Sequence, residues 1–309
     1  MPNTKISLFI PTYNAATDAH QTFSDTLANI AKANLHRVLV IDSSSTDHTL
    51  DLVNQFGFES IVIPNNEFDH GGTRQKGLEV LADSDIIIYL TQDVLIEDPN
   101  AIINLAGVLI ENEKIAGAYA RQLPHDNADI YARHLRKYNY GSTSYVRKYN
   151  DRFISGMRCI FSSDSFAAYK VSVLKEVGGF PDHLIMGEDV YLFAKFLHAG
   201  YKVAYAADVT CKHSHNYTIS QTFQRYFDIG VFHKSESWIL EEFGTANKDG
   251  IKYLLSELKY VALRRPWLLP VSLALTFTKY CGYKLGRNYD EIGVRLCRKF
   301  SKNKTFWWQ

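Results

Sequence analysis

Arg37-Val38-Leu39-Val40-Ile41-Asp42-Ser43-Ser44-Ser45-Thr46-Asp47 is an apolar, β-branched run that ends in a carboxylate and passes through three serines. An apolar run this short, bounded by polar turn residues, reads as a buried strand. Thr46 can then cap a helix that carries Leu50, Val53 and Phe56 on one face, with Gly57 as its stop. Asp47 reads as the negative charge that a helix start favours. A strand, an acidic turn and a helix in this order form half of a parallel crossover unit.

The same alternation extends in both directions. Ile6 to Ile10, Ser60 to Pro64, Asp85 to Thr91 and Ile115 to Arg121 read as further buried strands, and Phe23, Leu27, Ile30 and Ala31 recur at helical spacing. The fold class is therefore α/β, a mainly parallel sheet covered by helices on both faces. Ligands of such sheets bind beyond the carboxyl ends of the strands, here the loops after Ile10, Ile41, Pro64 and Leu90. From Leu123 to Phe153 the chain is rich in Arg and Tyr without a clear period, and reads as a long loop or irregular helix over the site. Regular structure resumes at Cys159 to Tyr169. A helix at Val171 to Val177 stops at Gly178-Gly179, a second runs from Gly187 to His198, and a strand occupies Tyr201 to Ala206. Helices alone follow Thr218, which divides the chain into an α/β unit, 1–217, and a helical, basic extension, 218–309.

With 309 residues and 46% of them apolar, the chain can bury one large core with a smaller appended unit. Its four cysteines, Cys159, Cys211, Cys281 and Cys297, lie far apart, which fits a reducing compartment and neither a zinc ribbon nor a disulfide framework. The amino terminus offers no charged n-region with a cleavage site. The longest apolar stretch, Trp267 to Phe277, is interrupted by Pro270 and Ser272 and falls short of the roughly 20 residues that span a bilayer. A net charge of +1 conceals an asymmetry: residues 251–309 hold twelve Lys or Arg against three Asp or Glu. Such a basic, aromatic segment suits an anionic membrane surface or is simply a solvated face. The acidic remainder and the lack of any helix-turn-helix or RNA-binding signature oppose a nucleic-acid reader.

Several residues carry chemistry. Asp42 at a strand end is an acceptor-only side chain, suited to a base imide or ribose hydroxyl, or equally to closing a turn. Phe68-Asp69-His70-Gly71-Gly72-Thr73-Arg74-Gln75 stands where a loop meets a helix. Its glycines would let the backbone approach a ligand, and Arg74 offers a fork for phosphate. It lacks the Lys of a Walker loop and the third glycine of a dinucleotide fingerprint. Thr91-Gln92-Asp93 delivers one carboxylate to the sheet edge. There it would either cap the next helix or hold Mg²⁺ or Mn²⁺ against a diphosphate, whose own oxygens fill most of the coordination sphere. Met186-Gly187-Glu188-Asp189 opens a helix whose Val190, Phe193, Ala194 and Leu197 point inward. Its paired acids are either dipole caps or a rigidly held general base. Cys211-Lys212-His213-Ser214-His215 sets alternate histidines on one face, for a metal, a phosphate or a structural role.

Taken together, Pro11-Thr12-Tyr13-Asn14, Ile41 to Asp47, Gly71 to Gln75, Gln92-Asp93 and Gly187-Glu188-Asp189 resemble glycosyltransferase family 2 in order and spacing, over residues 5 to 215. The resemblance implies a GT-A fold, a Rossmann-like sheet flanked by helices, and inverting transfer from a nucleotide-sugar donor with Mg²⁺ or Mn²⁺. By position it makes Pro11, Thr12, Tyr13, Asn14, Asp42, Gly72, Arg74 and Gln92 donor-binding residues, with Asp42 on the nucleoside. It places the metal at Asp93 and His213, makes Asp189 the base, and gives adjacent Glu188 the acceptor to orient. One departure is that the family's Asp-x-Asp stands here as Thr91-Gln92-Asp93, with a single carboxylate.

Within that family, Phe68 to Arg74 and Thr91 to Asp93 resemble bacterial rhamnosyltransferases of O-antigen, lipopolysaccharide and related surface polysaccharides. The implied donor is dTDP-L-rhamnose, and the implied acceptor is a saccharide on a polyprenyl diphosphate. That places the chain in the cytoplasm, peripheral at the inner face of the cell membrane, with Trp307 and Trp308 at the interface. Two rivals are the same transfer from a UDP- or GDP-sugar and a nucleotide-sugar binding module without turnover.

Overall fold

A computed structural model describes residues 4–16, 21–245 and 247–308. The chain alternates β1 (Ile6–Thr12), α1 (Gln21–Ile30), β2 (Arg37–Asp42), α2 (Thr49–Gln55), β3 (Glu59–Val62), α3 (His70–Val80), β4 (Ile86–Leu90), α4 (Asn100–Ile110) and β5 (Ile115–Leu123). It continues through α5 (Ile130–Asn139), β6 (Tyr145–Arg147), α6 (Arg152–Ser155), β7 (Phe166–Lys170), α7 (Val171–Glu176), α8 (Glu188–His198) and β8 (Lys202–Lys212). Helices α9 (Ile219–Ser235), α10 (Ser237–Phe243), α11 (Asn247–Arg264), α12 (Leu269–Arg287) and α13 (Val294–Phe300) complete it.

The strands form one eight-stranded sheet in the order β3-β2-β1-β4-β7-β5-β8-β6. β1 pairs in parallel with β2 and β4, as β2 does with β3 and β5 with β8, whereas β7 and β6 run against their neighbours. The sheet is thus mainly parallel, as expected. Side chains alternate across it with the period of two that a pleated strand imposes. Leu8 and Ile10 of β1 pack with Phe23, Leu27, Ile102 and Leu105 on one face, while Phe9 joins Tyr89, Tyr169, Phe193 and Phe196 on the other. Each fully buried Leu or Phe contributes about 1.5–3 kcal/mol, so burial on both faces fixes the register.

Local expectations fail where polar residues mask the pattern. β3 is an edge strand, not a buried one, and Val62 is 55% exposed. Residues 123–153 are not loop-like: α5 is regular, with the Asp129 side chain accepting from Ala132 N at its start. Its buried face includes His134, which shares a hydrogen bond with Ser256 Oγ at 2.9 Å, so a polar residue broke the apolar period. Thr46 does not cap α2. Asp47 takes over, accepting from the Thr49 amide and hydroxyl, while the Thr46 amide donates to Asn14 Oδ1. β8 runs six residues beyond the expected Ala206, so His213 leaves directly from a strand end.

The helices after residue 218 share the sheet's apolar cluster through Phe227, Val231, Phe232, Ile239, Phe243 and Cys297. Helices α9 and α12 touch backbone to backbone. A Cβ on Gly286 would lie 2.0 Å from the Phe227 carbonyl oxygen, and one on Gly282 2.6 Å from that of Phe223. Buried Glu257 ties α11 to α12 through Lys279 Nζ at 3.3 Å, and accepts from the Tyr253 hydroxyl. Trp307 is partly buried against Phe227 and Tyr289, whereas Trp308 is 57% exposed. No described helix is long and apolar enough to cross a membrane.

Candidate active site

The carboxyl ends of β1, β2 and β4 meet at a cleft of about 280 Å³, lined by Pro11, Thr12, Tyr13, Ser43, Asn65, Phe68, His70, Arg74, Thr91, Gln92 and Thr305. Its floor is a hydrogen-bonded lattice between loops. Gln92 clamps the backbone of Tyr13 from both sides, accepting from its amide at 2.7 Å and donating to its carbonyl at 3.0 Å. Asn14, held at a left-handed φ of 48°, donates from its amide to Ser45 Oγ. Asp42 has no exposed surface and accepts from Thr12 Oγ1, the Ser45 amide and Ser45 Oγ. Asp42 thereby ties the loop after β1 to the loop after β2.

The glycine pair also acts differently from expectation. A Cβ on Gly71 would fall 1.9 Å from the Pro181 carbonyl oxygen, so that glycine admits the 181 loop and not a ligand. Gly72 donates its amide to Asp69, which caps α3. Arg74 lines the cleft from α3 yet is only 4% exposed. Its Nη1 lies 3.0 Å from Glu188 Oε1 and its Nε 3.1 Å from Asp164 Oδ2. Arg74 therefore links the cleft to the acids at the start of α8.

Those acids are presented by a constrained turn. Gly187 adopts φ 86°, and a Cβ there would press within 3.0 Å of the Phe232 ring, so α9 fixes where α8 begins. Glu188 is buried against Arg74, while Asp189 is partly exposed and accepts from the amides of Val190 and Asp164. Burial, and then the neighbouring Glu188 charge, raise the Asp189 pKa. Burial likewise raises that of Asp164 against the pull of Arg74, while Tyr169 donates to its carboxylate. Burial opposes Glu188 ionisation too, but Arg74 and His70 outweigh it and hold that carboxyl low. Three carboxyls around one guanidinium cannot all ionise cheaply, and the Asp189 carboxyl is pushed up to about 6. The sequence reading missed Asp164, because Ser162-Ser163-Asp164-Ser165 carries no pattern apart from the partners that the fold brings to it.

At the end of β4, Asp93 meets both histidines beyond β8. Its Oδ2 lies 3.3 Å from His213 Nε2 and 3.4 Å from His215 Nε2. The ligand atoms of the three residues fall within 4.8 Å of one another. Gln122 fixes the tautomer: its amide nitrogen is committed to Ser163 Oγ, so its oxygen accepts from His213 Nδ1 at 3.0 Å. Arg136 Nη2 stands farther off that nitrogen, at 3.4 Å. With the proton on Nδ1, the Nε2 lone pair faces a carboxylate oxygen, acceptor against acceptor, which a cation between them would resolve. Burial disfavours protonation of both histidines, despite Asp93. Burial also opposes ionisation of Asp93, but His213, His215 and the Thr91 hydroxyl more than offset it. A neutral imidazole pair beside a carboxylate is a donor set for a divalent metal, so the residues fit one. His215 joins Asp93 and His213 in that set.

Residues 7–178 match glycosyl transferase family 2. Two curated relatives span nearly the whole chain. One is the O-antigen chain rhamnosyltransferase WbaN of Salmonella anatum, 40% identical over 97% of this chain and 95% of its own length. The other is the O-antigen chain rhamnosyltransferase RfbN of Salmonella typhimurium strain LT2, 42% identical over 98% and 96%. Among solved structures, a mannosyltransferase from Pyrobaculum calidifontis in complex with GDP-Man and Mn²⁺ has the same fold, with a TM-score of 0.56 at 17% identity over 98% of this chain and 84% of that one. A GT-A sheet that brings a loop-lined cleft, a metal-ligand cluster and a helix-start acid pair to one edge, in a chain this similar to its relatives, belongs to glycosyl transferase family 2 and is a glycosyltransferase.

Proposed function

We propose that this chain transfers L-rhamnose from dTDP-L-rhamnose to a lipid-linked saccharide during synthesis of an O-antigen or similar surface polysaccharide, at the cytoplasmic face of the membrane. The observation that carries this reading is the juxtaposition along one sheet edge of the cleft, the Asp93–His213–His215 cluster and the Asp189 carboxylate. The relatives' shared name directs it to rhamnose. Pro11, Thr12, Tyr13 and Gln92 would hold the nucleoside, with Asp42 and Asn14 fixing their loops. Arg74 would keep Glu188 in place, and Asp93, His213 and His215 would hold Mg²⁺ or Mn²⁺. When bound, such an ion offsets the charge of the donor diphosphate. Asp189 accepts the proton of the acceptor hydroxyl as that oxygen attacks the anomeric carbon.

The donor is tested by offering dTDP-rhamnose, UDP-glucose, UDP-N-acetylglucosamine and GDP-mannose with an undecaprenyl-diphosphate-linked saccharide, and weighing the products. Rhamnose transfer at least about tenfold ahead of the others in kcat/KM is expected, equivalent to about 1.4 kcal/mol of discrimination. Preferential transfer of another sugar would reject this donor.

The division of labour proposed here gives residues 1–217 the reacting groups and the α11–α12 part of 218–309 the membrane. Trp267, Leu273, Phe277 and Tyr280 are each more than half exposed, and the last three recur along one side of α12. Arg264 and Arg265 lie exposed beside Trp267. Apolar side chains ringed by Arg and Lys suit an anionic bilayer surface, where each basic residue contributes about 1 kcal/mol. Replacing Arg264 and Arg265 with Glu, and Trp267 and Phe277 with Ser, should abolish most co-sedimentation with phosphatidylglycerol vesicles while turnover on a water-soluble acceptor persists. Undiminished vesicle binding would contradict the surface.

A further inference from the structure

The chain does not end away from the site. After α13 it turns back over the cleft, and Thr305 lines the same walls as His70, Arg74 and Gln92. This carboxyl-terminal strap is anchored from beneath by Asp228 of α9, a buried carboxylate whose Oδ2 accepts from the amides of Lys302 at 2.9 Å and Asn303 at 3.3 Å. Asn303 donates to the Ile185 carbonyl just before the Gly187 turn, and Ser301 is fully buried. The anchors fix the backbone and leave the Lys302 side chain free. Its Nζ sits 4.8 Å from the Tyr217 ring, which stacks on His215 of the metal cluster. Its positive charge is felt both by His215 and by His70 at the cleft. Among the described residues Lys302 has no carboxylate partner within ion-pair distance. An exposed lysine thus lies over the Tyr217–His215 stack, three residues before Thr305 at the cleft wall, in a site whose cluster supplies one carboxylate.

We infer that Lys302 binds the donor diphosphate beside the Asp93–His213–His215 cluster, making the carboxyl-terminal strap a wall of the donor site. The inference rests on the nucleotide-sugar reading and adds to it a residue and a segment beyond the family match, which ends at residue 178. In the transfer, the acceptor oxygen forms its bond to the anomeric carbon, the bond from that carbon to the phosphate oxygen breaks, and the electron pair leaves on the nucleoside diphosphate. The acceptor proton passes to Asp189. Lys302 would meet the charge that gathers on the departing diphosphate, as a point-charge phosphate binder.

The test is calorimetric titration of the full chain with dTDP and with dTMP, each with and without Mn²⁺, for wild type, Lys302→Met and Lys302→Arg. Lys302→Met should weaken dTDP binding about tenfold or more, the scale of losing a hydrogen bond to a charged group. It should leave dTMP binding and thermal melting unchanged, with Lys302→Arg restoring most of the loss. Unaltered dTDP affinity in Lys302→Met would overturn the inference. So would equal losses for dTDP and dTMP, because the strap would then be a general support. If the wild type bound no dTDP at all, the dTDP-sugar reading would fall and this inference with it. If it bound dTDP and Lys302→Met bound equally well, only the role of Lys302 would fall.

Discussion

Asp189→Asn should lower the transfer rate by about 10²- to 10⁴-fold, the usual contribution of a positioned general base, while dTDP affinity stays at the wild-type value. Asparagine keeps the shape, and its single oxygen can still accept from the Val190 amide at 2.7 Å; besides basicity, the change removes only the longer 3.3 Å bond from the Asp164 amide. The base works only when ionised. Because burial and Glu188 raise the Asp189 pKa to about 6, wild-type kcat should fall as pH drops through about 6, not through the ordinary carboxylate range. The stability consequence has the opposite sign. A carboxyl with a folded pKa above its unfolded value favours folding below that unfolded value, and the advantage is lost as pH rises through about 6. The Asn variant should therefore melt no lower than wild type at pH 8. Glu188→Gln should behave differently: it removes the charged partner of buried Arg74, and breaking a buried pair typically costs about 3–5 kcal/mol. Activity and melting temperature should fall together there. Near-normal transfer by Asp189→Asn would return Asp189 to a helix-capping role.

Metal removal should have the second-largest effect. With one carboxylate and two neutral imidazoles, an exhaustive chelator should abolish transfer and added Mn²⁺ or Mg²⁺ should restore it. Asp93→Ala should cost about 10²-fold or more, on the scale of several kcal/mol of charge stabilisation. Loss of His215 alone should raise the Mn²⁺ concentration needed for half-maximal rate, because Asp93 and His213 remain. Binding of Mn²⁺ with dTDP, followed by electron paramagnetic resonance, separates metal loss from loss of chemistry. Full activity in chelator would remove the ion from the account and leave the cluster a structural one.

How far the sequence carried these conclusions depends on where the information lies. Strands β1, β2, β4 and β5 were legible because their apolar residues are contiguous and both sheet faces are covered. β3 looked equally buried because Ile61, Val62 and Ile63 form an apolar run, although the edge position is set by partners that sequence does not reveal. The antiparallel entry of β7 between β4 and β5 has no local signature. At the site, Asp93, His213, Glu188 and Asp189 stood at strand or helix ends, where the architecture predicts chemistry, and the fold brings Asp93 to His213 across 120 positions of sequence. Asp164, Gln122 and Lys302 were not legible. Each acts through contacts made by distant segments, and none lies in a distinctive local pattern. Asp42 was legible as a strand-end carboxylate, whereas its bonds to Thr12 and Ser45 depend on loops that only the fold brings together.

The account's central claim is a single displacement with Asp189 on the face opposite the departing diphosphate, and the anomeric configuration of the product tests it directly. One-bond carbon–hydrogen coupling at the new linkage, measured by nuclear magnetic resonance against the donor, should report inversion. Retention would contradict the account, because it would demand a nucleophile or front-face route that this arrangement of Asp189, Glu188 and Arg74 does not provide.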